Sequence, residues 1–330
     1  MIDGILPVDK PVGWSSHDVV ARVRRLAQQR QVGHAGTLDP LASGVLVLVL
    51  GRATRLSSYL MDAPKSYCAD VVLGVTTATD DGEGPAQEQH DVSHLKLVDA
   101  ERCLERFMGP IDQVPPRYSA IHHGGERLYR LARRGIDVQP KARLVTVYEL
   151  EIEEWQLPRV RIRVRCGSGT YLRALARDLG IALGVGGYLH ALRRVASGTF
   201  TAPACASMDV LSDKQSVRRA LVPPDHALLD RPAMVLSAQE AQSVQMGQSI
   251  RLSTVEAPSP PAPLPHRGRG ESPTAAFSPS PVRERGLGGE GEVRLYGASG
   301  TLIALARLSN GLVKSFRVFD GGSELDADGL

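Results

Sequence analysis

One acidic residue, Asp39, stands in the stretch of this 330-residue chain that combines most features of a chemical site, VGHAGTLDPLASGVLVLVLG. The imidazole of His34 and two glycines, Gly33 and Gly36, lie a few residues before it. Glycines allow a ligand to approach the main chain closely, and a carboxylate can serve as a nucleophile or as a general base. The composition of this stretch therefore predicts a turn that binds or attacks a ligand.

The same residues also have a purely structural interpretation. Asp-Pro followed by Leu-Ala-Ser-Gly fits a one-turn helix with Asp39 as its N-cap, Pro40 as its first residue and Gly44 as its end. The apolar run at 45–50 then predicts a strand that is buried on both faces. In both interpretations Asp39 lies immediately before a core strand.

Further candidate groups lie where strands and helices meet. Tyr67 falls in a predicted strand, KSYCADVVLG, and Arg173 follows Tyr171 where the alternating strand VRIRVRC turns into a helix through GSGT. An arginine in the first turn of a helix is disfavoured by the helix dipole, which favours a specific acidic partner over a free surface position. Lys10, in DKPVGWSS, is either a solvated turn lysine or a contact near the active site.

A strongly basic segment is hidden by the net charge of only +3 for the whole chain. Residues 115–145 carry seven Arg or Lys against Glu126 and Asp137, with tyrosines and histidines between them. Arginine interleaved with aromatic side chains suits phosphate contact and base stacking. A charged surface helix explains only part of it, so the segment favours an RNA-binding role.

Together these stretches resemble the TruB family of tRNA pseudouridine synthases. Gly33 to Gly44 matches every fixed position of the family signature G-H-x-G-x-L-D-P-x-A-x-G. Other motifs of the family are matched at residues 9–16, 65–67, 116–120, 169–173 and 192–200. The resemblance is strong over residues 1–230 and weak beyond them.

The resemblance implies an enzyme that isomerises the T-loop uridine of tRNA, position 55, on a nucleotide flipped out of its stack. Asp39 would be the nucleophile, Arg173 would pair with it and favour its ionised form, and Tyr67 would lie against the uracil and assist removal of the C5 proton. The residues that would bind the substrate are His34, Tyr67, Tyr171, Leu192 and Lys10. The reaction involves no redox step and no energy input, so no cofactor and no metal are expected.

The resemblance also implies an α+β fold with a mixed, mostly antiparallel sheet and a small C-terminal β-barrel of the PUA type. We expect a catalytic domain at 1–229, with the segment 115–145 gripping the T arm, and an RNA-binding domain at 230–330 that reaches the acceptor stem. Half of the 36 residues at 256–291 are Pro, Gly or Ser, which predicts a disordered insertion.

Composition limits the other classes of function. No apolar run reaches the ~18 residues of a membrane span, and no signal peptide is apparent, so we expect a cytoplasmic protein. We also expect it to be a monomer. The four cysteines are far apart and are expected to be reduced thiols. The loop TTATDDGEGP, with Asp80, Asp81 and Glu83, is interpreted as a solvated turn.

Two alternatives to this enzyme remain. The first is an RNA-binding or tRNA-folding protein without catalysis, which would need only the basic segment and the C-terminal domain. The second is an unrelated hydrolase with an aspartate nucleophile, which would leave the basic segment unexplained. The joint presence of Asp39, Tyr67 and Arg173 favours the synthase.

Overall fold

The computed structural model describes residues 1–118, 122–123, 126–127, 134, 136, 138, 140–251 and 291–319. Nearly half of the basic segment 115–145 and nearly all of the insertion at 256–291 therefore lie outside the described residues. The chain divides into two compact units, Met1–Ala227 and Leu228–Leu330. No helix within the described ranges is long and apolar enough to cross a membrane.

The first unit contains five α-helices among the described residues. They are Ser16–Ala27 (α1), Ser57–Asp62 (α2), Leu97–Leu104 (α3), Leu172–Ala182 (α4) and Lys214–Arg219 (α5). Its strands are Gly4–Lys10 (β1), Val32–His34 (β2), Ala42–Leu50 (β3), Lys65–Leu73 (β4), Val75–Thr77 (β5), Ala86–Gln89 (β6), Gly109–Gln113 (β7), His122–His123 (β8), Glu126–Arg127 (β9), Arg143–Gln156 (β10), Arg159–Cys166 (β11), Gly187–Ser197 (β12), Phe200–Thr201 (β13) and Ala206–Ser207 (β14). Short 3-10 helices cover Gly51–Leu56, Glu105–Phe107, Ala202–Ala204 and Pro224–Leu228.

A large mixed sheet organises this unit, in the order β14-β1-β3-β12-β4-β11-β10-β7. Only the pairs β1–β14 and β12–β3 run parallel, and the remaining pairs in this order are antiparallel. Strand β3 is central, and its side chains alternate between two buried clusters, with Leu46 and Leu48 in one and Val45 and Val47 in the other. The prediction of a strand buried on both faces is confirmed, as is the α+β class.

The one-turn helix predicted after Asp39 is wrong. Residues 39–42 instead form a tight turn, closed by a hydrogen bond from Ala42 N to Asp39 O of 3.0 Å, and β3 begins at Ala42. The physical reason is the neighbouring strand, because β12 pairs with residues 42–44. Gly44, at φ 101°, lies so close to β12 that a Cβ atom there would fall 2.2 Å from the carbonyl oxygen of Arg194. Gly44 therefore allows close strand packing instead of ending a helix.

Strand β11 carries three arginines on its outer face, but carboxylates that pair with them remove the excess of positive charge there. Val160, Ile162, Val164 and Cys166 are buried, as the alternation predicts. The arginines on the opposite face pair with carboxylates of the adjacent strands: Arg161 with Asp70 and Glu154, Arg163 with Glu151 and Glu153, and Arg165 with Glu149. We call this set the β11 ladder. It neutralises the outer face of the sheet.

Among its described residues, 228–251 and 291–319, the second unit has a five-stranded sheet and one α-helix. Its elements are Ala233–Val235 (β15), Ala238–Gln245 (α6), Ile250–Arg251 (β16), Gly291–Tyr296 (β17), Leu302–Ser309 (β18) and Leu312–Val318 (β19). The sheet order is β15-β17-β18-β19-β16. Helix α6 begins with a capping box formed by Ser237 and Glu240, and its Val244 packs against the sheet core.

Candidate active site

Asp39 lies in a turn that is fastened to its surroundings by main-chain contacts. The side chain of Ser16, at the start of α1, accepts a hydrogen bond from Leu38 N at 2.8 Å and donates one to Leu38 O at 3.0 Å. Gly13 N donates to Pro40 O at 2.8 Å. Leu38 is buried and anchors the turn from within. The turn therefore presents Asp39 from a fixed backbone.

The arginine expected to pair with Asp39 does so. Arg173, the second residue of α4, places its Nη2 atom 3.0 Å from Asp39 Oδ2. The Arg173 side chain is only 8% exposed, whereas that of Asp39 is 40% exposed. The surface-arginine alternative for Arg173 is therefore wrong. The solvent-accessible carboxylate of Asp39 is thus paired with the buried guanidinium of Arg173. Such a pair orients a carboxylate for nucleophilic attack.

A second carboxylate, Asp81, holds the other side of the same guanidinium. Its Oδ2 atom lies 3.3 Å from Arg173 Nη1, its side chain is 5% exposed, and Thr79 and the main chain of Glu83 also donate to it. The prediction of a solvated turn for this loop is wrong for Asp81. The sequence offers no local signal for this contact, because its two partners are 92 residues apart.

Another buried arginine, Arg194, clamps the turn from β12. It is 1% exposed and donates to the carbonyl oxygens of Val45 at 2.6 Å, Gly36 at 3.1 Å and Thr37 at 3.5 Å. We did not single out this residue from the sequence. A signal was available, because consecutive arginines in a strand point to opposite faces and one of Arg193 and Arg194 must therefore face inward.

Tyr67 lies in β4, directly opposite Arg194 in the β4–β12 register. Burial raises the pKa of its hydroxyl, against the opposing effect of Arg194. The phenol therefore stays protonated at neutral pH. This favours a role as an apolar surface beside the base over a role as a phenolate that removes a proton.

Lys10 is fully buried, so the interpretation as a solvated turn lysine is wrong. Its ammonium donates to Pro11 O at 2.9 Å and to Trp14 O at 2.6 Å. Burial lowers the pKa of Lys10 to about 8, and the nearby charge of Asp39 acts in the opposite direction. Lys10 therefore contributes a positive charge near Asp39, and its predicted contact with substrate stays a prediction.

The remaining predicted residues lie around the same turn. His34, on β2, has a pKa lowered by burial and by the charge of Arg194, and its buried Nδ1 atom has no hydrogen-bond partner among the described residues. Leu192 pairs with Ala42 at the start of β3, directly after the turn. Tyr171 is the N-cap residue of α4, two positions before Arg173. A neutral imidazole and two half-buried apolar groups suit contact with a base.

The arrangement supplies one accessible carboxylate, one buried arginine bound to it, and an apolar surround. Within the described ranges, no group of three or more His, Cys, Asp or Glu side chains is placed to hold a metal ion. The protein groups themselves can provide nucleophilic attack and charge stabilisation.

Comparison with known proteins places this site in a family. Residues 24–172 match the family model "TruB family pseudouridylate synthase (N terminal domain)", and residues 173–229 match "tRNA pseudouridylate synthase B C-terminal domain". Two relatives are named tRNA pseudouridine synthase B. The protein of Paenarthrobacter aurescens (strain TC1) is 42% identical, over 85% of this chain and 89% of that protein. The protein of Thermobifida fusca (strain YX) is 47% identical, over 76% of this chain and 87% of that protein.

A solved structure gives the same fold at lower identity. The crystal structure of a Cbf5-Nop10-Gar1 complex contains a chain with a TM-score of 0.66 and 23% identity, covering 96% of this chain and 85% of that chain. At this identity the likeness shows the fold alone. The family models and the bacterial relatives carry the assignment: the chain belongs to the TruB family of pseudouridylate synthases.

Proposed function

We propose that this protein converts the T-loop uridine of tRNA, position 55, to pseudouridine with Asp39 as the nucleophile on a flipped-out nucleotide. As a member of its family the chain is an isomerase that acts on uridine in tRNA. The choice of uridine and the role of Asp39 are our proposal. The observation that carries it is the half-exposed Asp39 carboxylate held by the buried Arg173.

The contacts of Asp39 suit a nucleophile. Arg173 engages Oδ2 of a side chain that is 40% exposed, which leaves the carboxylate accessible for attack on the substrate. In the reaction the bond between C1′ and N1 breaks, and a bond between C1′ and C5 forms. N1 gains a proton and C5 loses one, so no outside reactant is needed. Arg173 stabilises the carboxylate whenever it leaves the substrate.

The groups around Asp39 suit an extruded uracil. Tyr67 and Leu192 lie on adjacent strands beside the turn, and Tyr171 begins the helix that carries Arg173. These side chains would line the pocket for the base. His34, kept neutral by its lowered pKa, would stack in the space that the base leaves and offset an unstacking cost of a few kcal/mol.

Contacts to the rest of the tRNA are proposed for two regions. The basic segment 115–145 carries the charge to hold the phosphates of the T arm. In the second unit, Arg307 of β18 and Lys314 of β19 are cross-strand neighbours, and both are exposed. They support a contact with the acceptor stem. The cytoplasmic location and the monomeric state stay predictions.

The position of the modified uridine can be tested directly. The full chain is incubated with an unmodified tRNA transcript, which is then treated with carbodiimide and alkali and read by primer extension. We expect one new stop, next to the T-loop uridine, and none in a matched transcript in which cytidine replaces that uridine. A stop at another uridine, or no stop after prolonged incubation, would overturn the proposal.

A further inference from the structure

A second arginine, Arg177, lies one turn after Arg173 on helix α4. Residues four apart on a helix share a face, so the two side chains point toward the same surroundings. The Arg177 side chain is only 22% exposed. Its guanidinium makes three contacts: with Asp80 Oδ2 at 2.9 Å, with Asp178 Oδ1 at 2.8 Å and with Val114 O at 2.8 Å. No step of the proposed reaction uses this residue.

The two segments that Arg177 holds are those that supply the acceptors of Arg173. Asp80 is followed by Asp81, whose carboxylate binds Arg173 Nη1. Val114 begins the segment that leads to Tyr118, whose carbonyl oxygen accepts from Arg173 Nη2 at 2.9 Å. That same Nη2 atom also lies 3.0 Å from Asp39 Oδ2. A shift of either segment would therefore act on the atom that holds the nucleophile.

Further hydrogen bonds hold the two segments that Arg177 contacts. The side chain of Gln113 is buried, accepts from Tyr171 N at 2.8 Å and donates to Tyr171 O at 3.1 Å. Residues 113–118 are thus attached to α4 before, at and after Val114. On the other side, Leu189 N donates to Asp80 O at 3.1 Å, which ties the acidic loop to strand β12.

Arg177, like Arg173, contacts both of these segments. Arg177 pairs with Asp80, a carboxylate that is mostly buried. Without Arg177, the negative charge of Asp80 would be poorly solvated and would have lost this partner. Arg177 also donates to the carbonyl oxygen of Val114, which attaches the start of the second segment to α4. Removing the guanidinium would take one contact with α4 from each segment at once, and would leave Gln113 and Arg173 to hold them.

We propose that Arg177 is a positioning residue for the isomerisation, which holds the Asp80–Asp81 loop and the Val114–Tyr118 segment against α4 so that Arg173 keeps its contact with Asp39. The inference rests on the proposed role of Asp39 and extends it to a residue that does not touch the substrate. Arg177 acts on the rate of the chemical step through Arg173.

The test compares single-turnover rates of pseudouridine formation at saturating tRNA transcript. The proteins are the wild type, Arg177→Gln, Arg177→Lys and Arg161→Gln, the last being a matched control because Arg161 also joins two carboxylates but belongs to the β11 ladder. We expect Arg177→Gln to lower the rate about tenfold, because small displacements of a reacting group are costly, with little change in tRNA affinity. Arg177→Lys should recover part of the rate, and Arg161→Gln should match the wild type.

A double-mutant cycle separates positioning from a loss of folding. If Arg177 acts through Arg173, Arg177→Gln should lower the rate much less in an Arg173→Lys background than in the wild type. Equal losses in both backgrounds would overturn the inference, as would an unchanged rate of Arg177→Gln. A rate loss that vanishes when the fraction of folded protein is corrected for by thermal unfolding would also overturn it. If the wild type itself forms no pseudouridine, the proposed function has failed instead.

Discussion

Arginine and carboxylate side chains meet in two regions of the first unit with different consequences. In the β11 ladder, Arg163 and Arg165 are about half exposed and so are most of their partners. At the active site, Arg173 is 8% exposed and divides its guanidinium between Asp39 and Asp81. Exposed pairs are screened and contribute little, whereas a buried cation with two anionic partners is costly to disturb. Arginine–carboxylate pairs therefore balance charge on an exposed surface in the β11 ladder, whereas at the active site they orient the reactive carboxylate of Asp39.

Removal of the buried arginine should give the largest effect. We expect Arg173→Met to lower the single-turnover rate more than about 100-fold, because Asp39 loses the cation that orients it and that stabilises its charge when it leaves the substrate. Arg161→Met, on the β11 ladder, should stay within about threefold of the wild type. Rates of pseudouridine formation measured for both variants check the contrast. Similar losses in the two would remove the distinction between the regions.

Neutralising the second carboxylate should give an intermediate effect. Asp81→Asn keeps the size of the side chain but weakens its hold on Arg173, and we expect a rate about tenfold to 100-fold below the wild type. Asp70→Asn is the matched change on the ladder, because the Asp70 side chain is also mostly buried and bound to an arginine. It should leave the rate unchanged. An Asp81→Asn enzyme with the wild-type rate would show that Arg173 keeps its position without the charge of Asp81.

Lys10 should make activity and stability respond to pH in opposite directions. Burial lowers its pKa to about 8 in the folded protein, below the value of ~10.4 in an unfolded chain. Between these values the unfolded chain binds more protons, so the contribution of Lys10 to stability rises with pH. Loss of the ammonium charge near Asp39 should at the same time lower the rate about fivefold.

Two lysine variants check this assignment. In Lys10→Met the fall in rate above about pH 8 should be absent. Lys65→Met removes another buried lysine with a pKa lowered to about 8 by burial, and its rate should still fall. A pH–rate profile of Lys10→Met that follows the wild type would assign the fall to another group.

The smallest effect is expected on the ladder itself. Arg165→Gln breaks an exposed pair with Glu149 and should change the free energy of unfolding by less than about 1 kcal/mol. The change should shrink further as salt is added, because exposed charges are screened. Chemical denaturation at low and high salt measures both. A larger, salt-independent loss would mean that this pair stabilises the fold more than its exposure indicates.

Local patterns predicted much of this molecule. The alternation of β11 and the doubly buried strand β3 depend on neighbours in sequence, and both are confirmed. The pairing of Arg173 with Asp39 was implied by the family motifs and is present. These features needed no knowledge of which distant strands lie side by side.

Contacts between distant segments account for the errors. Asp81 lies in a polar loop that looks like any solvated turn until α4 brings Arg173 to it. The turn after Asp39 has the composition of a helix start, but pairing with β12 draws residues 42–44 into the sheet. Arg194 acquires its role only because the same pairing brings it to the carbonyls of Gly36 and Val45. Local propensity was overridden in each case by tertiary structure.

The central claim is that Asp39 is the nucleophile, held in place by Arg173. Its most direct test is primer extension after carbodiimide treatment of a tRNA transcript incubated with Asp39→Asn, with Asp70→Asn as the control carboxylate. We predict that Asp39→Asn produces no stop at the T-loop uridine even after prolonged incubation, although it still binds the transcript, and that Asp70→Asn modifies it as the wild type does. Full modification by Asp39→Asn would contradict the claim.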